Sequence, residues 1–466
     1  MIIVVLAIQF LPVRLYADDP FKLMAEGKPA YTMKEVKNYV CKIVPLVENA
    51  TGKKFLKIPR LVFADRKKMT KVLSRELMEP LSNLYPQLAR DQINRMSQSQ
   101  AALASMNLMG KYGVKDGKLY LLPKNMLPLL NLAEVDEKHT KSLLQLVIAH
   151  ELTHALQDQE TDLKRCYKIT DIDRFSAFSA TMEGQAVWVQ EKVGRQLGLD
   201  DSVVEMSRLL SAGTIKFDDP AVEMNTKIVA TQYEQIYLGG RKFISYIYQQ
   251  GGNERVWEII ANPPLKTSMI AQPETYSAKA QVELNYAQLF NGLEKSLDGE
   301  GWQTQNLTLG RMALKSAYAL MDEEAQEQIL AQVQHAQCFI AHKTETGSLV
   351  SVSSLVIKDP QFASTYLKLL EAMVRKNIKA LESSPSIQIQ DFTISDFAAY
   401  PTDQTQKIVM TVVDKNSSSS ARQVFVRIFK DKLMLEILIS NYEMDDVTIA
   451  ELAREVFERY QKLIKD

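Results

Sequence analysis

Along the first half of the chain apolar residues recur mostly at helical spacing, whereas beyond about residue 340 they gather in short strand-like runs. AYTMKEVKNYVCKIVPLVENATG, from Ala30 to Gly52, has apolar residues three and four apart and stops at glycine, which predicts an early packing helix. In GVKDGKLYLLPKN a tight turn at Asp116 and Gly117 leads into Leu119, Tyr120, Leu121 and Leu122, a short strand ended by Pro123. Val135 to Cys166 returns to helix. The stretch SLLQLVIAH within it is apolar on nearly every side, so this helix belongs at the centre of its domain. Further helices are predicted from about Asp173 to Leu197 and over the GGRKFISYIYQQGG region up to Gly251, and the prolines of ANPPLKTSMIAQPETY predict an irregular connection.

The later part reads differently. CFIAH and SLVSVSSLVI have the pattern of strands, and Phe362 to Leu381 that of a helix. Four more strands follow in IQIQDFTISDF, QKIVMTVVD, RQVFVRIF and KLMLEILIS, with NSSSSA as a hairpin loop. A closing helix is marked by the capping-box spacing of Thr448 and Glu451. Its apolar stripe comprises Ile449, Leu452, Ala453, Val456, Phe457, Tyr460, Leu463 and Ile464. The expected class is therefore α+β: a mainly helical domain with a small sheet over 18–340, then a C-terminal α+β domain over 341–466. In the second, an antiparallel sheet is expected to carry helices on one face.

Bulk properties narrow the function. A chain of 466 residues has a prior of about three domains or fewer. Lys plus Arg balances Asp plus Glu at 56 each, so no excess positive charge favours nucleic acid or anionic lipid. The first 17 residues form an apolar run ending in Tyr-Ala, which predicts a signal peptide cleaved after Ala17 and export to the periplasm or beyond. The run is too short for a transmembrane helix, and no other stretch approaches the ~20 apolar residues one needs. Cys41, Cys166 and Cys338 allow one disulfide with a thiol left over, and their spacing suits no zinc finger.

The candidate chemistry lies in HELTHALQDQ, from His150 to Gln159. Residues four apart share a helix face, so His150 and His154 can aim ring nitrogens at one zinc ion. Glu151, about 100 degrees around the helix, is poorly placed as a ligand but suited to take a proton from a water on the metal. Two imidazoles and a carboxylate inside an apolar helix would cost on the order of several kcal/mol without partners, a cost that a metal removes. A hydrolytic zinc site needs a third protein ligand. His139, His335 and His342 lack suitable spacing, whereas Glu183 lies 29 residues after His154 on the next predicted helix, where a helical hairpin returns it to the metal. Ser176, Ser179, Ala180, Gly184 and Ala186 are small residues around it that let two helix backbones approach.

HELTHALQDQ, EGQA at 183–186 and PPLKTSMIAQPETY at 263–276 occur in the order found in a set of largely uncharacterised bacterial secreted proteins, which carry HE-x-x-HALQDQ, EGDA and PP-x-S-T-E-Q-x-L-H-P-E-x-Y. Over roughly residues 100 to 280 the chain thus resembles these members of the gluzincin group of zinc metallopeptidases. The resemblance implies one Zn²⁺ held by His150, His154 and Glu183, Glu151 as general base, and a peptide or protein substrate. It also implies that Lys118 to Leu122 is the edge strand on which an extended substrate docks. Two positions depart from the pattern: Gln185 replaces the aspartate of EGDA, and Gln272 replaces the histidine of the third motif. They motivate the alternative of an inactive scaffold that binds peptides or acts as an adaptor. Two further expectations are that Asp158 accepts a hydrogen bond from a ligand imidazole and that Tyr276 donates to a developing oxyanion.

Overall fold

The computed structural model describes residues 26–86, 88–211, 219–276, 285–343, 345–400, 402 and 404–465. The expected signal peptide lies outside them. The chain divides into two units, and of the described residues the second takes in 219–229 and those from 285 onward.

In the first unit, α1 (Met33–Thr51) has Thr32 and Glu35 as a reciprocal N-terminal cap and ends at Gly52, as its pattern predicts. β1 (Arg60–Phe63), α2 (Arg66–Leu84) and α3 (Arg90–Met106) precede the short strands β2 (Gly110–Gly113) and β3 (Lys118–Leu121). These strands form one sheet in the order β1-β3-β2, with β1 parallel and β2 antiparallel to β3. The strand expected at the edge is thus the middle one, hydrogen-bonded on both sides. Its sequence reads equally well either way, because one short apolar run does not reveal how many neighbours it has.

After α4 (Met126–Leu132) comes α5 (Thr140–Thr161), which is buried from Leu143 to Gln157 apart from Gln145. This is the central helix that its apolar stretch predicts. α6 (Ile172–Gln196) returns against it and is itself buried almost throughout, so the two form the expected hairpin. α7 (Asp200–Leu209) follows; α8 (Pro220–Glu234), whose residues through Val229 belong to the second unit, leads into a π-helical turn at Gln235–Gly239 and α9 (Gly240–Ala261). α9 breaks at Gly251 and Gly252, the latter with φ of +64°, close to where the glycine pair predicts its end. The proline-containing connection includes a short helix, α10 (Thr267–Ala271).

α6 and α9 cross with almost no space between their backbones. A Cβ built on Gly184 would lie 2.2 Å from the carbonyl carbon of Gly240, and one on Gly240 would lie 2.0 Å from the oxygen of Ala180. Only glycine fits both positions. Arg241 also donates to both carboxylate oxygens of Glu191 on α6.

The second unit is built on seven strands: β4 (Gln303–Thr308), β5 (Val333–Lys343), β6 (Ser348–Ile357), β7 (Ile387–Ser395), β8 (Thr405–Asp414), β9 (Ser420–Lys430) and β10 (Leu433–Ser440). All pairings are antiparallel in the order β4-β5-β6-β10-β9-β8-β7. The change of texture near residue 340 falls within β5, since earlier residues pair with β4. The helices are α11 (Arg311–Ala317), α12 (Glu323–Gln332), α13 (Phe362–Leu381) and α14 (Asp446–Leu463).

Helices cover both faces of this sheet, correcting the expectation of one. Ile449, Val456 and Phe457 of α14 pack with Val350, Val426 and Leu435. On the opposite face Tyr366 and Leu370 of α13 pack with Leu355, Phe429 and Met434. The alternation of apolar residues along β9 and β10 supplies both layers. α14 begins earlier than expected: Asp445 caps it by accepting the N–H of Thr448, so Thr448 and Glu451 lie inside the helix and form no capping box.

Candidate metal centre

The α5–α6 hairpin brings His150, His154 and Glu183 together, all buried. His150 Nε2 lies 3.0 Å and His154 Nε2 3.3 Å from Glu183 Oε2, and the two ring nitrogens are 3.1 Å apart. Ligand atoms around a tetrahedral zinc with bonds of 2.0 to 2.1 Å stand about 3.3 to 3.4 Å apart. These separations approach that spacing, and one cation among the three atoms can satisfy their lone pairs together. This buried His-His-Glu group can therefore hold a metal ion. The remaining histidines are elsewhere: His139 bonds Ser202 through Nδ1, His335 stacks on Tyr286, and His342 is in β5.

Electrostatics suit a ligand carboxylate. Burial resists ionisation of Glu183, but the charge of His154 and hydrogen bonds from both imidazoles hold it well below the usual carboxylate range. Burial opposes protonation of His150, yet the Glu183 hydrogen bond and the charges of Glu183 and Glu151 outweigh it and raise its basicity. Lys111, also buried, stays protonated against its desolvation because Glu76, Glu151 and Glu183 surround it with negative charge.

Glu151 points toward the sheet, where its Oε2 accepts the backbone N–H of Tyr112 at 2.5 Å. The strand beside the site is therefore β2, not β3. Gly110 allows the contact, because a Cβ there would meet Val147 Cγ1 at 2.7 Å and Glu151 Cγ at 3.3 Å. The Tyr112 carbonyl is also engaged, by Lys111 Nζ at 2.7 Å.

The rest of the motif divides its work. Asp158 accepts from the phenol of Tyr112 and from the N–H of Leu163, and so does not serve the ligand imidazole. That contact belongs to Gln157, whose Oε1 lies 2.8 Å from His154 Nδ1, while its Nε2 donates to Met182 O and Gln185 Oε1 at 2.9 Å each. Gln159 pins a loop: its Oε1 accepts from Leu56 and Lys57, and its Nε2 donates to Lys57 O.

Tyr276 is not part of the centre. Its hydroxyl donates to Asn262 O and its ring packs edge-on against Phe243. Gln272 is exposed beyond α10. The tyrosine that reaches the site is Tyr237, in the π-helical turn. It is buried, hydrogen-bonded to Glu183 and tilted over the ring of His150 at 6.0 Å between centroids. Burial and then the charge of Glu183 push its phenol well above the ordinary value, so it remains a donor. Sequence reasoning missed it. Its own stretch of sequence carried no signal for it, because the π-turn that aims it at the site is visible only in the fold.

No family model matches the chain, and no curated protein matches it either. A solved structure from Chloroflexus aurantiacus, of a protein proposed to be a hydrolase with a novel fold, is 16% identical. It aligns over 59% of this chain and 97% of its own with a TM-score of 0.37, which does not establish a shared fold. Among the described residues no helix is long and apolar enough to cross a membrane, and the described structure is of the α+β class around one buried group suited to a metal ion.

Proposed function

We propose that this chain is a zinc-dependent hydrolase of peptide or related amide bonds, of gluzincin type. The observation that carries the reading is the convergence of His150 Nε2, His154 Nε2 and Glu183 Oε2 to within 3.0 to 3.3 Å, with Glu151 on the same helix as both histidines. Zinc held by these three residues would supply a Lewis acid that acidifies water and polarises a carbonyl. Glu151 would take the proton of the attacking water on its carboxylate and pass it to the departing amine. Tyr112 N–H orients that carboxylate, and Tyr237 holds Glu183. The substrate would be a peptide or protein. The N-terminal apolar run supports action outside the cytoplasm.

A second reading is a binding scaffold without turnover. It is favoured by the engagement of the Tyr112 N–H and carbonyl by Glu151 and Lys111, which occupies groups an extended peptide would use. The two readings separate on the zinc-loaded chain incubated with a diverse peptide library and followed by mass spectrometry. Hydrolysis predicts cleavage that Glu151→Gln abolishes while zinc content is retained. A zinc-loaded protein that cleaves nothing, and binds peptides equally well with Glu151→Gln, belongs to the scaffold reading.

A further inference from the structure

Gln157 makes three contacts that together determine its orientation. Its side chain lies between His154 Nδ1 at 2.8 Å, Met182 O at 2.9 Å and Gln185 Oε1 at 2.9 Å. An amide can point its nitrogen either way at first sight, but the Met182 carbonyl can only accept. The nitrogen must therefore face Met182, and the amide oxygen must face the imidazole. An oxygen facing His154 Nδ1 requires a hydrogen on that nitrogen. In the neutral ring this leaves Nε2 bare and directed at His150 and Glu183, the form in which an imidazole ligates a metal.

Gln185 completes the arrangement. It is 1% exposed on α6, and its oxygen takes the second hydrogen of the Gln157 amide. Gln157 is wholly buried, so neither amide has water as a substitute partner for these bonds. The chain of contacts runs from α6 through two neutral amides to the imidazole on α5. A carboxylate in contact with Nδ1–H would draw the proton more strongly and make Nε2 a stronger donor to the metal. The amide pair selects the same tautomer without adding negative charge to a centre that already contains Glu183 and Glu151.

We infer that Gln157 and Gln185 are positioning residues forming a two-amide relay, which locks His154 in its Nδ1–H tautomer and so prepares Nε2 for the metal. The metal-binding role rests on the zinc reading above, but the tautomer does not. Gln185 is on this account a working acceptor at the position where the resembled motif has aspartate.

The test uses the full chain labelled with ¹⁵N-histidine, metal-free and zinc-loaded, with pH raised until the nitrogen shifts themselves report neutral rings. His154 is assigned by comparison with His154→Gln. Nitrogen chemical shifts in the metal-free wild type should show the hydrogen on Nδ1, and zinc should leave it there. Gln157→Leu should spread His154 over both tautomers and weaken the zinc Kd, measured by chelator competition, by about 10- to 100-fold. Gln157→Glu keeps an acceptor for Nδ1–H and should hold the single tautomer, at a cost in stability because its second oxygen faces Met182 O. Gln185→Leu should keep the tautomer through Met182 O and weaken zinc less than Gln157→Leu does. A wild-type His154 with its hydrogen on Nε2 overturns the inference, and does so even where Gln157→Leu fails to fold. So does a folded Gln157→Leu with unchanged tautomer and Kd. A wild type that binds no zinc yet shows the Nδ1–H form contradicts the zinc reading and leaves the relay standing.

Discussion

Gly184 and Gly240 form a backbone-to-backbone contact that sets the depth at which the α9 segment approaches the α5–α6 hairpin: a Cβ on Gly184 would stand 2.2 Å from the Gly240 carbonyl carbon. Backbone atoms cannot rotate aside as a side chain can, so Gly184→Ala must push the helices apart. The expected cost is at least ~3 kcal/mol, the upper end for overpacked cores, read from denaturant unfolding. A Gly184→Ala protein as stable as wild type would show that the helices do not meet here.

Lys111 and Glu76 are a buried pair, 3.9 Å apart with side chains 7% and 2% exposed. Lys111→Met leaves the Glu76 carboxylate buried without its cation and should cost about 3 to 5 kcal/mol. Adding Glu76→Gln should recover much of that loss. Recovery identifies the uncompensated charge as the cause, whereas equal loss in the single and double variants would assign it to packing.

Asp173 supplies a pH dependence with a definite sign. Burial pushes its carboxyl up to about 6, against hydrogen bonds from the Thr267 side chain and N–H that favour ionisation. An acid whose folded pKa exceeds its unfolded value destabilises the fold when ionised. The penalty is absent below the ordinary aspartate value of 3.8, grows as pH rises toward about 6, and is fully present above it. That interval corresponds to about 3 kcal/mol. Asp173→Asn keeps an oxygen for Thr267, so it should stabilise the protein at about pH 8 and change little at about pH 4. Equal effects at both pH values would contradict this assignment.

Tyr237→Phe removes the hydroxyl bonded to Glu183 and keeps the ring over His150. The protein should fold, and its zinc Kd should weaken by about 10-fold, as on loss of a partner that orients a ligand. An unchanged Kd would place the phenol outside the metal centre's support.

Much of this arrangement is local in the sequence and could be read there. SLLQLVIAH is apolar on nearly every side, so a buried α5 follows, and the spacing of His150 and His154 places both on one face. Glu183 follows from the next helix and the small residues beside it. What escaped depends on partners distant in sequence. Tyr237 reaches Glu183 across the α6–α9 crossing, which nothing within its own helix reveals. β4 escaped because QTQNLT has a single buried residue and no alternation, and it is recognisable only from its pairing with β5. Asp445 rather than Thr448 caps α14 because capping depends on backbone entry geometry, and several polar residues there satisfy the pattern. In HALQDQ the polar types were legible but not their division, with Gln157 rather than Asp158 beside the imidazole.

The most direct test of the account is elemental metal analysis of purified wild type, Glu183→Ala and Glu151→Gln after zinc loading and removal of free metal, with folding checked by circular dichroism. The account predicts one zinc per chain in wild type and in Glu151→Gln, and loss of stoichiometric zinc in a folded Glu183→Ala. Stoichiometric zinc in folded Glu183→Ala, or none in wild type, would contradict it.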